Sequence, residues 1–176
     1  MTNITIHING KEIAAQISDE AAAELLQEKR TGYERVARGE KYFREGCDSG
    51  IDEGPEENSA FDDEIYEVAD YYSDKTISDN NARADKLMRQ LRQWQALNDA
   101  PVDWSCVKQK WQIQYNYIQK IFFVEKYYHI RTIANIYFSS HKKAQEAIDV
   151  FRDELTWYFT EYRSRLDELD EARTGT

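Results

Sequence analysis

The chain has 176 residues, of which 41% are hydrophobic and 13% aromatic, and it carries 23 basic and 33 acidic side chains. That length supports a packed core, and that composition excludes a disordered or collagen-like chain. A net charge of −10 weighs against a general nucleic-acid binder.

The first 30 residues form a recognisable unit. Ile4, Ile6 and Ile8 alternate, as do Ile13, Ala15 and Ile17, with Asn9-Gly10 between them. Alternation around Asn-Gly predicts a β-hairpin, because both turn residues tolerate positive φ. Ser18 is a good helix N-cap, and Ala21 to Gln27 continue as a short helix. Residues 1–30 are therefore expected to be a ββα unit attached to a main α+β domain spanning 31–176.

Tyr33 to Phe43 combines aromatic and β-branched residues around Gly39, which predicts strands with a turn. Cys47 to Ser59, with Gly50, Gly54 and Pro55, reads as a loop. Glu64 to Tyr72 reads as a strand through Ile65, Tyr66, Val68, Tyr71 and Tyr72. A helix is expected to start near Ser78, with Ala84, Leu87, Met88, Leu91, Trp94 and Leu97 on one stripe. Asn98-Asp99-Ala100-Pro101 ends it. Val102 to Val107 is a linker or short strand.

Trp111 to Tyr117, Ile121 to Tyr128 and Thr132 to Phe138 are three further expected strands. Ser139 and Ser140 cap a last helix with Ala144, Ala147, Ile148, Phe151, Leu155, Tyr158, Tyr162, Leu166 and Leu169 on its stripe. Continuous to Ala172, it would reach about 48 Å at 1.5 Å per residue. Its end is expected to project, bend back or pair with a second chain, giving a homodimer. The segments around Tyr71-Tyr72 and Tyr137-Phe138 echo each other: adjacent aromatics, then Ser or Asp, then a helix. The expected fold class is α+β, an antiparallel sheet with helices on one face, built from two ββα-type modules and a long C-terminal helix.

Charge is distributed unevenly. Glu45 to Asp74 contains twelve carboxylates and no Lys or Arg, so the rest of the chain sums to about +2. Asp48, Asp52, Glu53, Glu56, Glu57, Asp62, Asp63 and Glu64 are candidate contacts to a basic partner surface, by charge complementarity. The alternative is a solvated loop without a partner. Calcium-loop spacing fails, because counting from Asp48 puts Glu53 where Gly is needed. Trp157, Tyr158 and Tyr162 make the last helix aromatic on more than one face and are candidate interface anchors.

No catalytic, metal or cofactor motif is present. His7, His129 and His141 stand apart from any ligand spacing, and Cys47 and Cys106 form no CxxC. The two thiols are either reduced or joined to each other. GxSxG, P-loop, GxGxxG and HExxH patterns are missing. Trp111, Tyr115, Tyr117, Tyr127 and Tyr128, with Lys108, Lys110, Lys120 and Lys126, would suit a single-strand nucleic-acid platform. An enzyme whose Cys106 meets a His only in the fold is a further alternative. No signal peptide or membrane span is read, so the expected compartment is cytoplasmic.

Five segments carry a resemblance: GYERVARGEKYF at 32–43, IYEVADYYSD at 65–74, Asp103-Trp104, KWQIQYNY at 110–117 and IYFSSHKKAQEAI at 136–148. Together they resemble an uncharacterised family of small proteins from phages and mobile elements of Gram-positive bacteria. Residues 156–176 depart from it, since the family's last helix is typically shorter. The resemblance implies an accessory phage-type protein in a host cytoplasm and no catalytic residues. Proteins of that setting often antagonise host defence, anti-CRISPR proteins among them. The reading is a non-enzymatic protein that binds and inhibits another macromolecule.

Overall fold

The computed structural model describes residues 2–8, 11–18, 30–47, 50–105, 107–133 and 136–169. Three two-stranded antiparallel sheets and four helices are present among them. Strands β1 (Thr2–Ile8) and β2 (Lys11–Ile17) pair from Thr2↔Ile17 to Ile8↔Lys11, the register an Asn-Gly hairpin dictates. The expected turn residues and the helix at 21–27 lie outside the described residues.

Strand β3 (Lys41–Glu45) pairs with β4 (Ile51–Pro55). Only the end of the 33–43 segment is therefore extended, and the expected loop at 47–59 contains a strand. Gly46 N–H donates to Gly50 O at 2.7 Å, closing that hairpin.

Helix α1 (Ala60–Glu67) occupies the start of the segment expected as strand. Local hydrogen bonds outweigh the β-propensity of Ile65, Tyr66 and Val68. Ser59 Oγ accepts from Asp62 N at 3.3 Å and Asp62 Oδ2 accepts from Ser59 N at 2.9 Å, a reciprocal capping box. At the other end Ala69 N bonds Tyr66 O and Asp70 N bonds Ile65 O, a Schellman motif with Ala69 at φ 60°.

Helix α2 (Lys75–Asn98) starts three residues before Ser78, because Asp74 accepts from Thr76 N and Ile77 N at 2.8 and 3.1 Å. Its buried stripe is Ile77, Ala84, Leu87 and Leu91. Gly32 lies against Ile77 at φ 91°; a Cβ there would stand 2.8 Å from Ile77 Cγ1. Only glycine fits that close approach in that conformation.

Strands β5 (Lys110–Asn116) and β6 (Ile121–Tyr127) fall where two strands are expected, and they pair as the third hairpin. Asn116 Oδ1 accepts from Ile118 N and Gln119 N and shapes its turn. Among the described residues of the third strand expected at 132–138, the β-pairing is one bridge, Phe138 to Trp111. Helices α3 (His141–Val150) and α4 (Arg152–Thr160) replace the expected continuous helix. The break is at Phe151, φ −109° and ψ 21°.

Contacts with α2 hold the segment beyond the break. Arg83 grips Glu154 at 2.9 and 3.2 Å and lies 4.0 Å from the Trp157 ring centre. Tyr162 Oη donates to Asn81 Oδ1 at 2.7 Å, and Leu166 N donates to Thr31 O at 2.9 Å. The chain through Leu169 therefore folds back on the start of α2 and does not project. The main core is Leu87, Leu91, Phe138, Ala144, Ala147, Ile148 and Leu155, with Trp111, Ile113, Phe122 and Val124 packed on it from the third hairpin. Each large apolar side chain buried there contributes about 1.5–3 kcal/mol.

The echo has a backbone counterpart. Phe43 and Tyr72 exchange N–H···O bonds at 2.8 and 2.9 Å, and Trp111 and Phe138 exchange them at 3.0 and 2.7 Å. Each bridge precedes a capped helix, α2 or α3. No single sheet joins the hairpins among the described residues.

Candidate functional site: the acidic segment

Most carboxylates of the acidic segment fall into three groups once folded; of the others, Asp74 caps α2 and Asp70 accepts from Glu45 N at 2.9 Å. The first group is neutralised from outside the window. The β3–β4 register sets Arg44 opposite Asp52, and the pair meets at 3.3 Å. Lys41 pairs with Glu53, Arg89 of α2 pairs with Glu45, and Arg35 reaches Asp63 at 2.6 Å. Such exposed pairs contribute about 0–1 kcal/mol each. Their importance is that they lower the charge the segment can offer a partner.

The second group is buried and structural. Glu56 is fully buried and Asp62 nearly so, although sequence reasoning places both on a solvated surface. Glu56 accepts from Arg35 Nε and Nη2 at 3.0 and 2.9 Å, from Tyr71 Oη at 2.8 Å and from Asn58 N at 2.8 Å. The Arg35 guanidinium holds its carboxyl below the usual range. Asp62 accepts from Ser59 N and Oγ, Glu57 N and Tyr42 Oη. The Ser59 backbone bond leads these in depressing its pKa to about 2.

The Tyr42 and Tyr71 rings stack between the two carboxylates, 4.3 Å apart at 11°. Burial pushes both phenols up, and the adjacent Asp62 and Glu56 add to the rise. These four groups are closely packed ionisable side chains, so an acid–base role has to be tested against their geometry. Acidic carboxyls, weakly acidic phenols and satisfied hydrogen bonds leave no group poised to exchange a proton near neutrality. The cluster is a clasp that ties residues 35, 42, 56, 62 and 71 together.

The third group faces solvent. Glu57, Glu64 and Glu67 have no ion pair among the described residues. Helix α1 buries only Asp62. Phe61 is 49% exposed and Val68 65% exposed, and with Glu64 they fall on one side at i, i+3 and i+7. Arg44 covers part of Phe61 from 5.0 Å. The accessible acidic surface is thus a short helix with carboxylates flanking apolar side chains. Asp48 lies outside the described residues.

The other candidates are placed as follows. Trp157 is 9% exposed with Arg83 on its ring, and Tyr158 stacks on Tyr162 at 5.2 Å. Their rings are engaged within the chain. The aromatic–lysine platform does not assemble as one face. Trp111 packs on the core, and Tyr115 stacks on Phe159 at 5.6 Å. Lys110 is buried and donates to Ser105 O, Lys108 O and Tyr128 O at 3.1, 3.2 and 2.9 Å. Cys106 lies outside the described residues, and Cys47 is exposed and free. Among the described residues no group of three or more His, Cys, Asp or Glu is placed to hold a metal. None of their helices is long and apolar enough to cross a membrane.

One signal of this site was readable. Ser59-Ala60-Phe61-Asp62 has the spacing of a capping box, which marks α1. Arg35 had no such signal, because it meets Glu56 across 21 residues. The fold and site define an α+β protein with an acidic, partly apolar helix on its surface. No family model, curated protein or solved structure matches the chain.

Proposed function

We propose that this protein acts by binding, without turnover, and that α1 is its docking element for a basic protein surface. The observation that carries the reading is the helix with its flanks: eight residues, one buried, carrying Glu64, Glu67 and exposed Phe61, with Glu57 just before it and exposed Val68 as its C-cap. Carboxylates steer a basic partner into contact, and central apolar side chains then supply desolvated area. Together with the resemblance to phage and mobile-element proteins, this favours an accessory protein that occupies a working surface of a host defence effector of the CRISPR type.

The test separates docking from folding. Asp62 is unsuitable for it, because it caps α1. The E57Q/E64Q/E67Q variant and the F61S/V68S variant change only exposed positions. Immobilised wild-type protein is expected to retain a partner from lysate of a Gram-positive host and to release it as salt rises. Both variants, folded by circular dichroism, are expected to lose that partner. Equal retention and an unchanged salt profile in both would reject α1 as the docking element.

A further inference from the structure

A second site lies where α2 ends. A cleft of about 450 Å³ opens between the last turns of α2, the 99–104 segment, Arg131, Ile136 and Tyr137. That size falls within the roughly 300–1,000 Å³ of small-molecule sites. Its polar lining includes Arg92, Gln95, Asp99 and Arg131, and its apolar lining includes Trp104 and Ile136.

The cations and the anion in this cleft are in different states. Arg92 and Arg131 are exposed and form no ion pair among the described residues. Asp99 is already engaged: its carboxylate accepts from Ser139 N at 2.8 Å, from Ser139 Oγ and from Ala100 N at 2.8 Å. Gln95 is engaged too, donating to Tyr137 O. The lining therefore keeps a net charge of about +1 on an acidic protein, with guanidinium N–H groups as its uncommitted donors.

Arg131 is also positioned. Its guanidinium lies 4.2 Å from the Trp104 ring centre, and Trp104 is braced edge-on by Tyr137 at 5.4 Å. Stacking holds the guanidinium plane while leaving its N–H edge available to an oxyanion. Trp104 remains 45% exposed, a large apolar surface at the same cleft.

We propose that this cleft binds a small organic anion: a phosphate or carboxylate group held by Arg92 and Arg131, carried on a ring or apolar body that contacts Trp104. Arginine suits either group, because both present paired oxygens to its planar fork. The site shares no residue with α1, so it stands whether or not α1 docks a partner.

Titration calorimetry and tryptophan fluorescence on the full chain test the assignment, with inorganic phosphate, phenyl phosphate and benzoate as probes. The better of phenyl phosphate and benzoate is expected to bind at least about tenfold more tightly than inorganic phosphate, and which one wins identifies the anionic group. R92Q and R131Q are each expected to weaken that probe about tenfold or more, with unchanged circular dichroism. W104F is expected to remove most of the fluorescence response. No binding of any probe up to about 10 mM, or binding indifferent to both arginine variants, would overturn the proposal.

Discussion

Residues 31–98 and residues 110–160 use one backbone plan with opposite buried charge. Each has a hairpin, a two-bond bridge from its first strand to the second of two adjacent aromatics, and a capped helix. The residue before each bridging strand position is buried to 2% exposure: Tyr42 in the first half, Lys110 in the second. Tyr42 donates to a buried carboxylate, Asp62, whereas the Lys110 ammonium donates to three carbonyls. The first half thus closes around anions and the second around a cation. The plan is set by backbone pairing, and the polar solution inside it is free to differ, provided every buried group finds partners.

The sharpest way to break the first half is to strand its anion. R35A leaves Glu56 buried without its cation and is expected to lower unfolding free energy by about 3 kcal/mol, read from urea unfolding. A loss below about 1 kcal/mol would show that Tyr71 and Asn58 suffice, and the clasp would then not depend on its salt bridge.

Acid should separate the halves next. Glu56 and Asp62 hold folded-state values below their ordinary 4.5 and 3.8, Asp62 at about 2. Between the two sets of values the unfolded chain binds more protons, so stability falls as pH falls. Their contribution is fully present above about pH 5 and drains away toward pH 2. Hydrogen exchange is expected to show amides of β3 and β4 losing protection before those of β5 and β6. Simultaneous loss would mean that the two halves open as one unit.

For the second half the matched change is K110M. It removes the ammonium and leaves three carbonyls short of a donor, but strands no charge. The expected loss is about 1–2 kcal/mol, smaller than for R35A. A larger loss would reverse the ranking of the two solutions.

The smallest effect has the opposite sign. Ala69 occupies the left-handed position of the α1 Schellman motif at φ 60°. A69G relieves a cost of about 1 kcal/mol and is expected to raise the thermal midpoint slightly. A lower midpoint would mean that the methyl group makes a contact worth more than the strain.

Much of the frame was legible in residues alone. The pairing of residues 2–8 with 11–17, the two strands of the third hairpin, the Ala84–Leu87–Leu91 part of the α2 stripe and the Ser140 cap follow from short-range periodicity and capping, which depend on neighbours a few positions apart, whereas Leu97, expected on that stripe, is 77% exposed. The echo of Tyr71-Tyr72 and Tyr137-Phe138 was visible for the same reason. Where a segment carried two local signals, the weaker one misled: the β-branched and aromatic residues of 64–72 suggested a strand, while Ser59 and Asp62 encoded a helix start.

Only tertiary structure decided which acids are surface and which are interior. Arg35, Lys41, Arg44 and Arg89 come from outside the acidic run, and folding brings each beside a carboxylate inside it. Composition counts charges along the chain, whereas partner choice depends on charges in space. The break at Phe151 and the return of Tyr162 to Asn81 are of the same kind. A helix stripe states which face is apolar, and the contacts of Arg83 and Asn81 with Glu154, Trp157 and Tyr162 fix where the chain lies beyond the break.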